Sequence, residues 1–354
     1  MIKAVDLIII VLGAIVIGSA FWNRKKMPDI GSYSTQTMNC IKGIFAIMIV
    51  LFHLSQHING GLLFRVIGDT GYLSVAVFFF ISGYGMYTRV LQTRGGYCKG
   101  IISHRIPRVL LPWMIATLIY ALYWFAEGGY EKIVQICNNR ENGYLLITNS
   151  WFVIAIAVFY FVFYLAFNWC NGNFRNGIRR SLIGVCLLIV IAYIVGLGGW
   201  WLYSSLSFIL GMTWKEHEIR INHIIERKWI IFLVLWGCIF ALGYVIRFVN
   251  SISTHSPVAY DIALLIASTA FVGMVFTILK KATVNNRLWS FLGRISFEIY
   301  LLHELVYNIL RNRNLGFYIG NDLLYVGLVI LVTMGCAYLF NAVITKRVVS
   351  KILK

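Results

Sequence analysis

The sequence predicts an all-α fold, a polytopic membrane helix bundle of about 10–11 transmembrane helices, on three observations. Hydrophobic residues make up 60% of the 354 positions and charged ones only 12%, which no ordinary water-soluble globule sustains. Apolar runs of the roughly 20 residues that a bilayer demands recur from end to end. Lysines and arginines gather in the short loops between these runs, rich in one loop and poor in the next.

The first run, Ala4 to Trp22, is too long for a signal-peptide core and ends at Asn23-Arg24-Lys25-Lys26, so it reads as a membrane helix. Ten more spans follow, at about 40–58, 71–91, 109–126, 150–169, 182–197, 199–214, 229–247, 260–279, 288–308 and 323–344. Only Gly196-Leu197-Gly198-Gly199 separates the sixth from the seventh, so one broken helix or a re-entrant hairpin fits there as well. No long polar segment intervenes, and residues 1–354 read as a single integral-membrane domain.

Of the 31 Lys and Arg, 22 fall in one alternating set of loops and 7 in the other, with Lys42 and Arg294 inside spans. Bases accumulate on the cytoplasmic side, so the N-terminus is expected outside and the C-terminus inside. This bias also accounts for the net charge of +18 without nucleic acid, because the bases do not pattern a groove. Seven scattered cysteines form no CxxC pair and have no histidine at metal spacing, so neither a metal site nor a disulfide framework is expected.

The second span, Asn39 to His57, carries the first candidate chemistry. Lys42 and His53 are eleven residues apart, which is three turns of helix, so both share a stripe with Phe45, Ala46, Ile49 and Gln56 and stand roughly 16 Å apart in depth. Ionisable groups inside a bilayer are costly and usually face a bundle interior with a task there, although a neighbouring helix satisfying the imidazole serves the pattern equally. The topology sets His303 of the tenth span at the same outer depth as His53. In the loop before the fourth span, Arg105 and Arg108 offer a guanidinium pair suited to phosphate, or serve as ordinary cytoplasmic charge. Gly71 to Tyr87 places three phenylalanines before Ser82-Gly83-Tyr84-Gly85, a small-residue segment open to close helix packing or to a ligand. Arg294 and Glu298, four apart, are expected to neutralise each other, and Glu304 is expected near solvent.

In order, these pieces resemble membrane acyltransferase family three, the integral-membrane O-acyltransferases of bacterial surface polysaccharides. The basic-X10-His pattern appears as Lys42 to His53, the Phe-Phe-x-x-Ser-Gly segment as Phe79 to Gly83, and the Arg-x-x-Arg-x-x-x-Pro segment as Arg105, Arg108 and Pro112. Ser150-Trp151-Phe152, Phe208 to Gly211, and Leu292 to Ser296 followed by Tyr300-Leu301-Leu302-His303 complete the set. The resemblance implies a core over 39–345 preceded by an extra helix and basic loop over 1–38, in a multi-pass protein of the bacterial plasma membrane. It implies an acyl-CoA donor, most often acetyl-CoA, bound from the cytoplasm, and a hydroxyl of a cell-surface or lipid-linked glycan as acceptor. His53 inherits the essential histidine's role as general base, His303 joins it as a catalytic candidate, and Lys42, Arg105 and Arg108 inherit donor binding. Ala76 stands where many members carry an acid, so no carboxylate is expected there to orient His53. A transporter or sensor whose His53 and His303 line a solute path is the alternative, weakened by the lack of an inverted repeat.

Overall fold

An apolar chain has no water with which to satisfy its backbone, and this one satisfies it by helix formation throughout. The computed structural model describes residues 2–22, 33–139, 145–168, 170, 172–197, 199–246, 256–282 and 284–353. Arg24, Lys25, Lys26, Arg140, Arg247 and Lys354, counted among the loop bases, lie outside the described residues, as does Gly198. The helices are α1 (Asp6–Trp22), α2 (Thr35–Ser55), α3 (Leu62–Ile67), α4 (Gly71–Gln92), α5 (Pro107–Cys137), α6 (Trp151–Asn168), α7 (Phe174–Ile194), α8 (Leu206–Glu216), α9 (Glu218–Ile246), α10 (Pro257–Leu279), α11 (Arg287–Arg294), α12 (Ser296–Leu310) and α13 (Asp322–Phe340). No strand occurs among the described residues.

Eight of these helices, α2, α4, α5, α6, α7, α9, α10 and α13, are long and apolar enough to cross a bilayer. The other three expected spans correspond to shorter elements: α1, α8 with the turns before it, and the α11–α12 pair, which breaks at Ile295. The doubtful sixth and seventh spans are two separate helices. Ser204 Oγ donates to the Tyr72 carbonyl at 2.7 Å, and Tyr87 OH donates to Glu216, so α8 with its preceding turns runs parallel to α4 over the depth from Tyr72 to Tyr87.

Burial separates centre from rim. The apolar window of α2 is 72% buried and that of α4 67%, whereas that of α9 is 6% buried and faces outward along its length. Two glycine seams bring the central helices into backbone contact. A Cβ on Gly83 of α4 would strike the Phe208 carbonyl of α8, and one on Gly211 would strike the Phe80 carbonyl in return. A Cβ on Gly43 of α2 would strike the Trp289 carbonyl of α11, and one on Gly293 the Asn39 carbonyl. Small residues serve close packing in this way where lipid supplies no hydrophobic drive between helices.

Charged groups clamp the bundle at both ends. On the side where the charge count puts the cytoplasm, the buried Glu218 accepts from Tyr84 OH at 2.7 Å, Lys215 Nζ at 2.7 Å and Lys280 Nζ at 3.2 Å. On the other side, Asp6 of α1 accepts from the Phe64 amide of α3 at 3.2 Å, while Arg311 spans from the His57 carbonyl of the α2 end to the Asp322 carboxylate of α13. The expected Arg294–Glu298 pair does not form. The break at Ile295 takes them off one continuous helix; Arg294 instead donates to Ser290 Oγ, and Glu298 accepts from Asn341 and Thr345 of the chain after α13.

The seam predicts a local packing cost. Gly43→Ala is expected to lower the melting temperature of the detergent-solubilised protein through overpacking worth about 1–3 kcal/mol. Gly13→Ala, at a position with no atom within 4 Å of its added Cβ, is expected to change nothing. Equal behaviour of the two variants would remove the seam as the reason for the glycine.

Candidate active site

His53 lies on the inward stripe of α2 because it follows Ala46 and Ile49 at helical spacing, and all three are buried. α2 and the α11–α12 pair run parallel from Cys40, whose thiol donates to the Asn286 carbonyl, to His57, whose ring lies 4.6 Å from that of Tyr307. That register carries His303 to His53. Their ring centroids are 5.0 Å apart and both rings are buried, so the shared depth expected from topology is here a direct contact.

His303 has a defined hydrogen-bonding state. Nδ1 of His303 lies 2.7 Å from the Tyr300 carbonyl and 3.3 Å from that of Ile299, both of which can only accept. Nδ1 therefore holds the proton, and in the neutral ring Nε2 is an acceptor, buried and without a partner. The ring of His53 leaves Nδ1 buried without a partner. An unmade hydrogen bond on a buried polar atom costs about 1–3 kcal/mol, and here two stand within one ring contact. Groups left in that state in a packed interior are candidates for chemistry.

Glu304, expected near solvent, is buried. Its carboxylate accepts from Thr148 Oγ1 and from the amide and side chain of Asn149 at 3.3 Å each, and the Asn149 carbonyl accepts in turn from Tyr300 OH. The turn before α6 thus closes over α12 at Tyr300, the residue whose carbonyl fixes His303. Thr148 and Asn149 were not singled out from sequence, and Tyr300 entered only within the motif that ends at His303. Their signal was a buried acid in an apolar span, which demands donors, and the polar Thr-Asn-Ser step before α6 supplies them.

At the opposite end, a cleft of about 530 Å³ opens where the chain leaves α4 and enters α5. Arg105 and Arg108 both line it, together with Arg89, His104 and Tyr97, so two of the expected donor residues meet there. Gly85 forms part of the wall, with no atom within 4 Å of the position of a Cβ, which divides the small-residue segment of α4: Gly83 packs helices and Gly85 keeps the cleft open. Arg105 donates to Tyr160 OH at 3.1 Å, and that hydroxyl lies 3.4 Å from Ser82 Oγ; the guanidinium also sits 5.0 Å from the Tyr160 ring centroid. Its Nε is buried without a partner. Arg108 is exposed. Lys42, the third expected donor residue, is half-buried on α2 and does not line this cleft. Tyr160, in the middle of the apolar α6, is the partner that sequence reasoning did not find.

A buried imidazole pair at one depth and a cluster of guanidinium groups at the other suit proton transfer and anion binding respectively. Ala76 is buried against the core, so α4 contributes no carboxylate at that position. No curated protein and no solved structure matches this chain. The model of the acyltransferase family 3 domain matches residues 36–342, which spans every residue of both sites described above. The chain therefore belongs to acyltransferase family 3 and is a membrane acyltransferase.

Proposed function

We propose that the protein moves an acyl group, acetyl in the simplest case, from cytoplasmic acyl-CoA to a hydroxyl of a cell-surface or lipid-linked glycan. The observation that carries this reading is the contact between two buried imidazoles that each retain an unpartnered nitrogen. Acyl transfer to a hydroxyl requires a base for its proton. In the His53 tautomer protonated at Nε2, the unpartnered Nδ1 lone pair takes that proton. The hydroxyl oxygen attacks the thioester carbonyl, the C–O bond forms as the C–S bond breaks, and the imidazolium returns the proton to the departing thiolate. His303, held neutral-side-out by the Tyr300 carbonyl, turns its Nε2 lone pair to the imidazolium or the acceptor hydroxyl and stabilises the charge that develops.

Donor binding falls to the cytoplasmic cleft. A CoA carries several phosphate charges, and Arg105, Arg108 and Arg89 provide forked donors for them, with the unpartnered Arg105 Nε ready to take an acceptor. Lys42, outside the cleft lining, adds a further positive charge on the same helix as His53. The roughly 16 Å from Lys42 to His53 is comparable to an extended pantetheine arm, so phosphates held at the depth of Lys42 leave the thioester at the imidazole pair.

His53→Ala is expected to reduce transfer by about 10²–10⁴-fold while membrane insertion and melting temperature stay at wild-type values. The measure is labelled acetyl incorporated into surface glycan, and wild-type incorporation in a well-expressed variant would take His53 out of the mechanism. Arg105→Ala is expected to weaken acetyl-CoA binding by about tenfold or more without changing which acceptor is used. Unchanged donor affinity in the purified variant would return Arg105 to a topological role.

A further inference from the structure

A second polar cleft, of about 440 Å³, opens at the outer ends of α5 and α12, between Glu127 and Lys132 on one side and Asn308, Arg313 and Tyr318 on the other. The charge count leaves only seven bases on this side of the bilayer, and three of them, Lys132, Arg311 and Arg313, line this one cleft. Topology disfavours bases here, so their clustering needs another cause.

The three are not equivalent. Arg311 is committed to the fold, donating to the His57 and Ile319 carbonyls at 3.0 Å each and pairing with Asp322. Lys132 lies 3.5 Å from Glu127. Arg313 has no carboxylate partner among the described residues; it is exposed, and its guanidinium is held 4.2 Å from the centroid of the exposed Tyr318 ring. Across the cleft, Glu127 Oε2 is buried without a hydrogen bond.

We propose that this cleft is the acceptor subsite and that it selects an anionic glycan, a polyhydroxylated molecule whose negative charge resides on the sugar or on the phosphate of a lipid carrier. The proposal rests on the acyl-transfer reading above. Tyr318 offers an apolar face to sugar C–H groups, the free oxygen of Glu127 accepts a hydroxyl, the Asn308 amide both donates and accepts, and Arg313 pairs with the acid. Asn308 follows His303 by five residues on α12, a rise of about 7.5 Å and a turn of about 140°, so the cleft lies outward of the imidazole pair on the α5 side of the helix, and a chain of sugars seated here reaches the pair around the outer end of α12.

The test uses the full chain in nanodiscs of neutral phosphatidylcholine, with binding measured for three probes: trigalacturonate, maltotriose, and a polyprenyl monophosphate. At least one acidic probe is expected to bind about tenfold or more tightly than maltotriose, and Arg313→Gln is expected to remove that margin while acetyl-CoA affinity stays unchanged. Tyr318→Ala is expected to weaken the same probe. An Arg313-dependent response to trigalacturonate puts the recognised charge on the sugar, and one to the polyprenyl phosphate puts it on the carrier; either supports the proposal. Absence of binding by both acidic probes, affinities equal to that of maltotriose, or indifference to Arg313→Gln would overturn it. A wild-type chain that fails to bind acetyl-CoA would instead contradict the acyl-transfer reading, and the Arg313 comparison would still decide the cleft.

Discussion

Everything proposed for this protein depends on the backbone contact between α2 and α11. Gly43 and Gly293 each sit where a Cβ would collide with a carbonyl of the facing helix, so the two helices run parallel at a separation only glycine permits. From that anchor the register is carried outward, through the helix break at Ile295, until His53 meets His303. A longer interaxial distance would separate the rings and let lipid tails or packing side chains occupy the gap. The contact that looks structural at the cytoplasmic end therefore sets the chemistry at the outer end.

Around that pair the fold spends polar groups in an unequal way. Tyr120 OH donates to the Leu301 carbonyl at 3.0 Å and accepts from the Leu305 amide at 2.7 Å, so α5 props α12 on both sides of His303. Glu304 is satisfied by Thr148 and Asn149, and Tyr300 by the Asn149 carbonyl. Beside these satisfied groups, His53 and His303 each keep a buried unpartnered nitrogen within one ring contact, where an unmade hydrogen bond is expensive. Substrate hydroxyls can supply what the protein withholds.

Much of this was legible in the sequence. Span positions, the Lys42 to His53 stripe and the common depth of His53 and His303 follow from periodicity and from the alternation of loop charge, both of which are local. The joint placement of Arg105 and Arg108 followed from their proximity in the chain. Partners distant in sequence were not legible: Tyr160 for Arg105, Thr148 and Asn149 for Glu304, and Asn341 and Thr345 for Glu298 depend on which helices become neighbours. The Arg294–Glu298 expectation failed because spacing rules assume an unbroken helix, and the turn at Ile295 violates that assumption. Glu304 was misplaced for a related reason: distance from the bilayer centre does not reveal that the turn before α6 folds over the residue.

The claim at the centre of this account is that His53 and His303 act as one unit. Single-turnover transfer from labelled acetyl-CoA in the wild type, His53→Ala, His303→Ala and the double variant tests it most directly. Groups that work together give single losses about as large as the double loss, on the order of 10²–10⁴-fold here. A wild-type rate in His303→Ala, or single losses that multiply in the double variant, would contradict it.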